Sequence, residues 1–198
     1  MFTGIITHVG KVESIKQSHY TFSADASFFQ KLGQGTSVSV NGICLTVDAD
    51  TQANSFSIEV MPETIKKTMI GGLNIGQYVN LELPMSADAL FAGHIVQGHI
   101  DGTGRITAIT PEGNSHIVTI GIKPKLACYV INKGSIAVNG ISLTIISARN
   151  SSFTVGIIPY TFSHTMLHAA KVGDLVNIEV DMVGKYLFKF FTQAKKKE

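Results

Sequence analysis

The chain has 198 residues, of which 44% are hydrophobic and 15% charged, with a formal net charge of +2. Disorder needs low hydrophobicity and high net charge, so this composition excludes it for most of the chain. The near-balanced charge gives no electrostatic reason to expect nucleic acid or an anionic membrane as a partner, and the length allows one domain or two small ones.

Met1–Gly10 carries no basic run ahead of an apolar stretch. No later segment approaches the about 18 uninterrupted apolar residues of a membrane helix, so the sequence reads as a cytoplasmic protein. Thr36–Val40, Ser55–Val60 and Gln77–Leu83 are short, alternating and rich in β-branched residues, which predicts strands. Asn41-Gly42, Gly71-Gly72, Glu112-Gly113-Asn114 and Asn139-Gly140 punctuate them as turns needing Gly or Asn at positive φ. Thr64–Ile70 and Thr161–Ala170 can each hold a short helical turn. Strands at this spacing predict an all-β barrel or sandwich. From Met182 to Ala194 the pattern changes: Val183, Leu187, Phe190, Phe191 and Ala194 fall on one face of an amphipathic helix, too short to stand without packing on something. The dense basic run Lys195-Lys196-Lys197 reads as a solvated tail. Cys44 and Cys128 lie far apart without Cys-x-x-Cys spacing, which points to neither a disulfide framework nor a zinc knuckle.

An internal repeat decides the domain count. Val40-Asn-Gly-Ile-Cys-Leu-Thr-Val47 recurs 98 residues later as Val138-Asn-Gly-Ile-Ser-Leu-Thr-Ile145. Met61-Pro-Glu-Thr64 recurs after 97 residues as Ile158-Pro-Tyr-Thr161, and Gly76–Leu83 recurs after the same interval as Gly173–Val180. Three blocks in one order at a nearly constant interval predict two homologous domains, 1–97 and 98–181, followed by a helix and tail over 182–198.

A duplicated pocket holds two copies of one ligand or two related ligands. Thr46 and Thr144, Thr64 and Thr161, and the peptide groups of the Asn-Gly-Ile-x-Leu-Thr turns are its shared candidates. Chemistry that treats two ligands differently needs residues that do not repeat. Cys44 stands where the second half has Ser142, His99 where the first half has Ile5, and Asp181 where the first half has Pro84. In Gly93-His94-Ile-Val-Gln-Gly-His99-Ile-Asp the two histidines lie five apart. An extended chain sends them to opposite faces, and a helical ligand pair prefers a spacing of four, so a metal pair is disfavoured and acid/base or hydrogen-bonding work favoured.

Taken together, Met1-Phe-Thr-Gly-Ile, Asn41-Gly-Ile-Cys-Leu-Thr-Val, Met61-x-Glu-Thr, Gly93-His-x-x-x-Gly-His-Ile-Asp, Asn139-Gly-Ile-Ser-Leu-Thr, Ile158-Pro-x-Thr, Val176-Asn-Ile-Glu-x-Asp and the Lys185-Tyr186 helix start resemble the riboflavin synthase family of the α-chain type over essentially the whole chain. The resemblance implies two tandem six-stranded Greek-key β-barrels plus a C-terminal α-helix. It also implies dismutation of two 6,7-dimethyl-8-ribityllumazine molecules by four-carbon transfer, without cofactor or metal, in a homotrimer held by the terminal helices. Association with lumazine synthase stays open. Carried over by position, the amino-terminal site comprises Gly4, Ile5 and Ile6; Cys44, Leu45 and Thr46; Glu59, Val60 and Met61; and Pro62, Glu63 and Thr64. Ser37, Gly98, His99 and Ile100 stand beside it. The facing site comprises Lys133; Ser142, Leu143 and Thr144; Ile158, Pro159 and Tyr160; Thr161, Phe162 and Ser163; and Asp181. Tyr160 stands where the family commonly has a polar residue. His99 is assigned to proton transfer, and Cys44 and Ser37 to the nucleophilic or hydrogen-bonding side. The competing class is the lumazine- or flavin-binding antenna proteins, which catalyse nothing. They generally lose the Gly-His-x-x-x-Gly-His block, the Cys or both, and this chain keeps them.

Overall fold

The computed structural model describes residues 1–48 and 54–194, so the Lys195–Glu198 tail lies outside the described residues. The first half supplies β1 (His8–Lys16), β2 (His19–Ser23), α1 (Ala26–Phe29), β3 (Ser37–Val40), β4 (Ile43–Thr46), β5 (Ser55–Glu59), α2 (Pro62–Lys67) and β6 (Tyr78–Glu82). The second half repeats the order as β7 (Gly102–Glu112), β8 (Ser115–Gly121), α3 (Pro124–Ala127), β9 (Ser135–Val138), β10 (Ile141–Ala148), β11 (Ser152–Ile157), α4 (Pro159–His164) and β12 (Leu175–Val180). The last element among the described residues is α5 (Met182–Ala194). Strand order is β4-β3-β6-β1-β2-β5 in one half and the equivalent closed β10-β11-β8-β7-β12-β9 in the other. The first sheet closes through the bridge between Val47 and Ile58. The expected pair of six-stranded barrels with a terminal helix is therefore what the chain forms.

The helical turns start two residues earlier than their patterns predict, because Pro62 and Pro159 occupy first-turn positions where a fixed φ is favourable and no N–H is needed. A 3-10 turn follows each, capped by the Thr68 or Thr165 hydroxyl accepting from the N–H two residues on. The two cores are filled differently. Phe22, Phe28 and Phe56 pack in the first, with the rings of Phe22 and Phe56 5.5 Å apart, whereas isoleucines and Phe153 fill the second.

Asn-Gly at 41–42 and at 139–140 each make a two-residue hairpin turn with both φ angles positive (46° and 79°; 46° and 78°), the geometry that favours this pair. These turns also join the barrels. They meet about a local two-fold axis, so close that a Cβ on Gly42 would lie 2.6 Å from Gly140 N. Asn80 Nδ2 donates to Asn139 O at 2.9 Å and Asn177 Nδ2 to Asn41 O at 2.8 Å. Met166 N donates to Asn80 Oδ1, and Met69 N to Asn177 Oδ1, both at 2.7 Å. All four asparagines, Asn41, Asn80, Asn139 and Asn177, are buried. The turns that sequence alone offers as ligand-holding peptides thus carry the contact between the two halves.

Candidate active site

Alternation along β4 sends Ile43 and Leu45 into the first core and leaves Cys44 and Thr46 outside; β10 does the same with Ile141 and Leu143 against Ser142 and Thr144. Both candidate sites therefore lie on the outer faces of the barrels.

The segment leading into each barrel lies on the other one. Phe2 N donates to Val96 O at 2.8 Å and Val96 N to Phe2 O at 3.2 Å, pairing the two leading segments antiparallel between the barrels. From there they diverge. Ser142 N donates to Gly4 O at 2.8 Å, and Cys44 N donates to Gly98 O at 3.0 Å. Two buried carboxylates clamp these straps. Glu82, ending β6, accepts from Thr3 N (2.7 Å), Thr3 Oγ1 (2.8 Å) and Gly4 N (3.1 Å). Glu179 on β12 accepts from Gln97 N (2.7 Å) and Gly98 N (2.9 Å). Burial pushes both carboxyls above the usual carboxylate range, and the donated N–H groups oppose that rise. Gly98 has φ +81°, and a Cβ there would fall 2.4 Å from the Cys44 Cβ, so only glycine lets the strap lie this close.

Two pockets result, each built from both halves. The first, about 200 Å³, joins Cys44, Glu63 and Thr64 to Gly98, His99 and Ile100. The second, about 130 Å³, joins Ser142, Tyr160, Thr161 and His164 to Gly4, Ile5 and Ile6. The regrouping corrects one expectation: Gly4, Ile5 and Ile6 lie with Ser142 and not with Cys44, because their strap crosses to the second barrel. His99, Gly98 and Ile100 do meet Cys44. Leu45, Leu143 and Val60 are core residues of their barrels, which leaves only their main chain for a ligand. Ser37 pairs directly with Thr46, and so shares its outer face, but does not line the Cys44 pocket. Glu59 and Met61 before α2 and Pro62 at its first position are exposed, as are Ile158 before α4 and Pro159 at its first position. Tyr160 stacks on His164 at 4.1 Å, Phe162 stacks on His116 at 4.2 Å, and the Ser163 hydroxyl is turned back to Pro159 O at 3.0 Å. Lys133 takes φ +63° at the turn before β9 and stands outside the Ser142 pocket, as does Thr144 opposite Ser135. Asp181 caps α5, accepting from Val183 N at 2.9 Å.

His94, which sequence reasoning noticed but did not place in the site, is buried with Nδ1 2.7 Å from Ser142 Oγ. Its Nε2 has no hydrogen-bond partner. Burial pulls its pKa below the ordinary histidine value, and the nearby Asp181 carboxylate offsets part of that. A ring kept neutral in this way can accept the Ser142 proton. The signal in the sequence was the five-residue histidine spacing: the odd interval, read as sending the rings to opposite faces, here puts His99 in the Cys44 pocket and His94 on the Ser142 hydroxyl, outside the residues that line the second pocket. Cys44 is half-buried against Phe2, Val96 and Ala137, and Cys128 is exposed with Sγ on Lys125 O. A larger cavity of about 500 Å³ lies under residues 83–92 beside His8 and Lys31. At the place equivalent to residues 85–92 the second half begins α5.

Two equivalent barrels with a shallow outer pocket on each define a lumazine-binding-domain protein: the model of the Lumazine binding domain matches residues 3–84 and again 97–181. The riboflavin synthase of Actinobacillus pleuropneumoniae is 47% identical over 194 residues, 96% of this chain and 89% of that protein, and that of Bacillus subtilis (strain 168) is 41% identical over 197 residues, 98% and 91%. The crystal structure of LumP complexed with riboflavin superposes with a TM-score of 0.84 at 25% identity, covering 91% of this chain and 99% of that one. The chain belongs to the riboflavin synthase family.

Proposed function

We infer that the chain catalyses the riboflavin synthase reaction. Two 6,7-dimethyl-8-ribityllumazine molecules exchange a four-carbon unit, giving riboflavin and 5-amino-6-(D-ribitylamino)uracil with no net gain or loss of atoms. The observation that carries this reading is a duplicated pocket whose chemistry is not duplicated: Cys44, Glu63 and His99 in one copy, and in the other Tyr160, His164 and a Ser142 whose hydroxyl meets His94. The reaction treats two identical molecules differently, one losing a methyl proton to give a ring-stabilised carbanion and the other gaining a nucleophile. His99 serves proton transfer in the first pocket, with the Cys44 thiol and the Ser37 hydroxyl as nucleophilic or hydrogen-bonding groups. The His94–Ser142 pair gives the second pocket its own proton acceptor. Aligning two rings face to face converts a bimolecular step into an effectively intramolecular one and supplies much of the acceleration.

Neither pocket reaches the about 300 Å³ at which sites usually begin to enclose a small ligand. That favours a site completed between the first barrel of one subunit and the second barrel of a neighbour. The predicted stripe on α5 stays uncovered, with Val183, Leu187, Phe190 and Phe191 each more than half exposed, and it supports a homotrimer formed through this helix. Incubation of the purified protein with the dimethylribityllumazine alone tests the function. Riboflavin and the uracil product should appear in equal amounts, whereas tight binding with no turnover would place the chain with non-catalytic lumazine binders. No helix among the described residues is long and apolar enough to cross a membrane.

A further inference from the structure

The linear sequence shows no internal basic cluster, yet the fold makes one. Lys66 and Lys67 from the last turn of α2, and Lys123 and Lys125 at α3, line a cleft of about 370 Å³ between the barrels. The acidic group in its wall is already engaged: Asp101 Oδ2 accepts from Lys185 Nζ at 2.7 Å and from Val180 N at 2.9 Å. Lys67 pairs with Glu63 at 2.6 Å. Lys66, Lys123 and Lys125 form no ion pair among the described residues. Three uncompensated ammonium groups around one cleft, on a chain of net charge +2, create a local field that an anion relieves.

Position gives the cleft its meaning. Lys67 and Ile100 line both it and the Cys44 pocket, so the two spaces adjoin, with these side chains between them. The second half has no equivalent: Ser163 and His164 stand where Lys66 and Lys67 do, and Asp25 and Ser27 where Lys123 and Lys125 do. Of the two pockets, the Cys44 pocket is therefore the one that adjoins a lysine-lined cleft.

We propose that this cleft is a phosphate subsite, through which a flavin carrying a terminal phosphate monoester on its ribityl chain occupies the Cys44 pocket and competes there with the substrate. The ring and polyol fill the pocket, and the dianion lies among Lys66, Lys123 and Lys125 in charge-assisted hydrogen bonds. The proposal rests on the reading of that pocket as the flavin and lumazine site, and goes beyond it to a phosphorylated ligand that the reaction does not use.

Fluorescence titration of the full chain with riboflavin and with riboflavin 5′-phosphate tests it, on the natural sequence and on a Lys66→Gln/Lys123→Gln/Lys125→Gln variant. The phosphorylated ligand should bind the natural chain at least about tenfold more tightly than riboflavin at low ionic strength. That advantage should shrink as salt is raised and vanish in the variant, whose riboflavin affinity and turnover stay unchanged. Millimolar inorganic phosphate should abolish the advantage and leave riboflavin binding alone. Equal affinity for the two flavins, or an advantage that survives in the variant, overturns the phosphate subsite. Inorganic phosphate that binds at the lysines while the phosphorylated flavin gains nothing overturns it too, and leaves a free-anion site. A natural chain that binds neither flavin fails the pocket reading itself, a result distinct from the others.

Discussion

Asn80 and Asn177 each reach out of their own barrel into the other, donating Nδ2 to the carbonyl oxygen of Asn139 and of Asn41 and accepting from the N–H of Met166 and of Met69. The side-chain oxygen and nitrogen of both residues are used in a buried interface. Asn80→Ala leaves Asn139 O and Met166 N without partners, at about 1–3 kcal/mol for each buried orphan. The expected outcome is a fall of about 2–4 kcal/mol in unfolding free energy, read by urea denaturation. Asn177→Ala should match it by symmetry. A loss below about 0.5 kcal/mol would mean that water replaces the amide.

The repeat made the barrels legible because each copy checked the other, and the alternation in β4 and β10 separated Leu45 and Leu143 from Cys44 and Ser142 by face. What stayed hidden was long-range. Gly4 and Gly98 lie at equal repeat positions, and nothing in their neighbourhood says that their straps cross to the opposite barrel. Asn-Gly is equally a hairpin turn whether its outer side meets solvent, ligand or its own copy. The lysine cleft draws Lys66 and Lys67 from one half and Lys123 and Lys125 from the other, so no run betrays it.

Crossed straps make an unusual assignment testable: Glu179, in the second barrel, governs the pocket of the first. Glu179→Ala removes the acceptor of Gln97 N and Gly98 N and should release Gly98, His99 and Ile100 from Cys44. Ligand affinity at the Cys44 pocket should fall at least about tenfold, with amide exchange rising at Gly98 and not at Gly4. Glu82→Ala should do the reverse. Because burial raises both folded pKa values above those of the unfolded chain, each carboxyl's contribution to stability is present below the unfolded pKa and is lost as pH rises through the folded one. The double glutamine variant should accordingly lose the downward slope in stability that these two carboxyls add above the ordinary carboxylate range, measured by thermal melts against the natural sequence.

Through its 2.7 Å contact with Ser142 Oγ, His94 should set the pH response of that hydroxyl. Its depressed pKa keeps the ring neutral to lower pH than an ordinary histidine, so the acid limb of kcat should fall below about 6.5. Ser142→Ala should lower kcat by about 10²-fold or more and leave the Cys44 pocket's affinity intact. The acid limb should then reflect other groups. An unchanged pH profile in a His94→Gln variant would remove the ring from proton transfer.

The apolar face of α5 gives the last prediction. Phe190 and Phe191 are 64% and 69% exposed, whereas Phe188 leans on Tyr129 with ring centroids 5.1 Å apart. Phe190→Glu with Phe191→Glu should therefore leave barrel stability within about 0.5 kcal/mol. Placing two charges where a neighbouring helix would desolvate them should nevertheless dissociate the proposed trimer. Sedimentation velocity should show the variant shifting to monomer, with riboflavin formation lost while each pocket still binds ligand. A natural chain that sediments as a fully active monomer would remove the intersubunit site, and the four-carbon transfer would then have to occur between the two pockets of one chain.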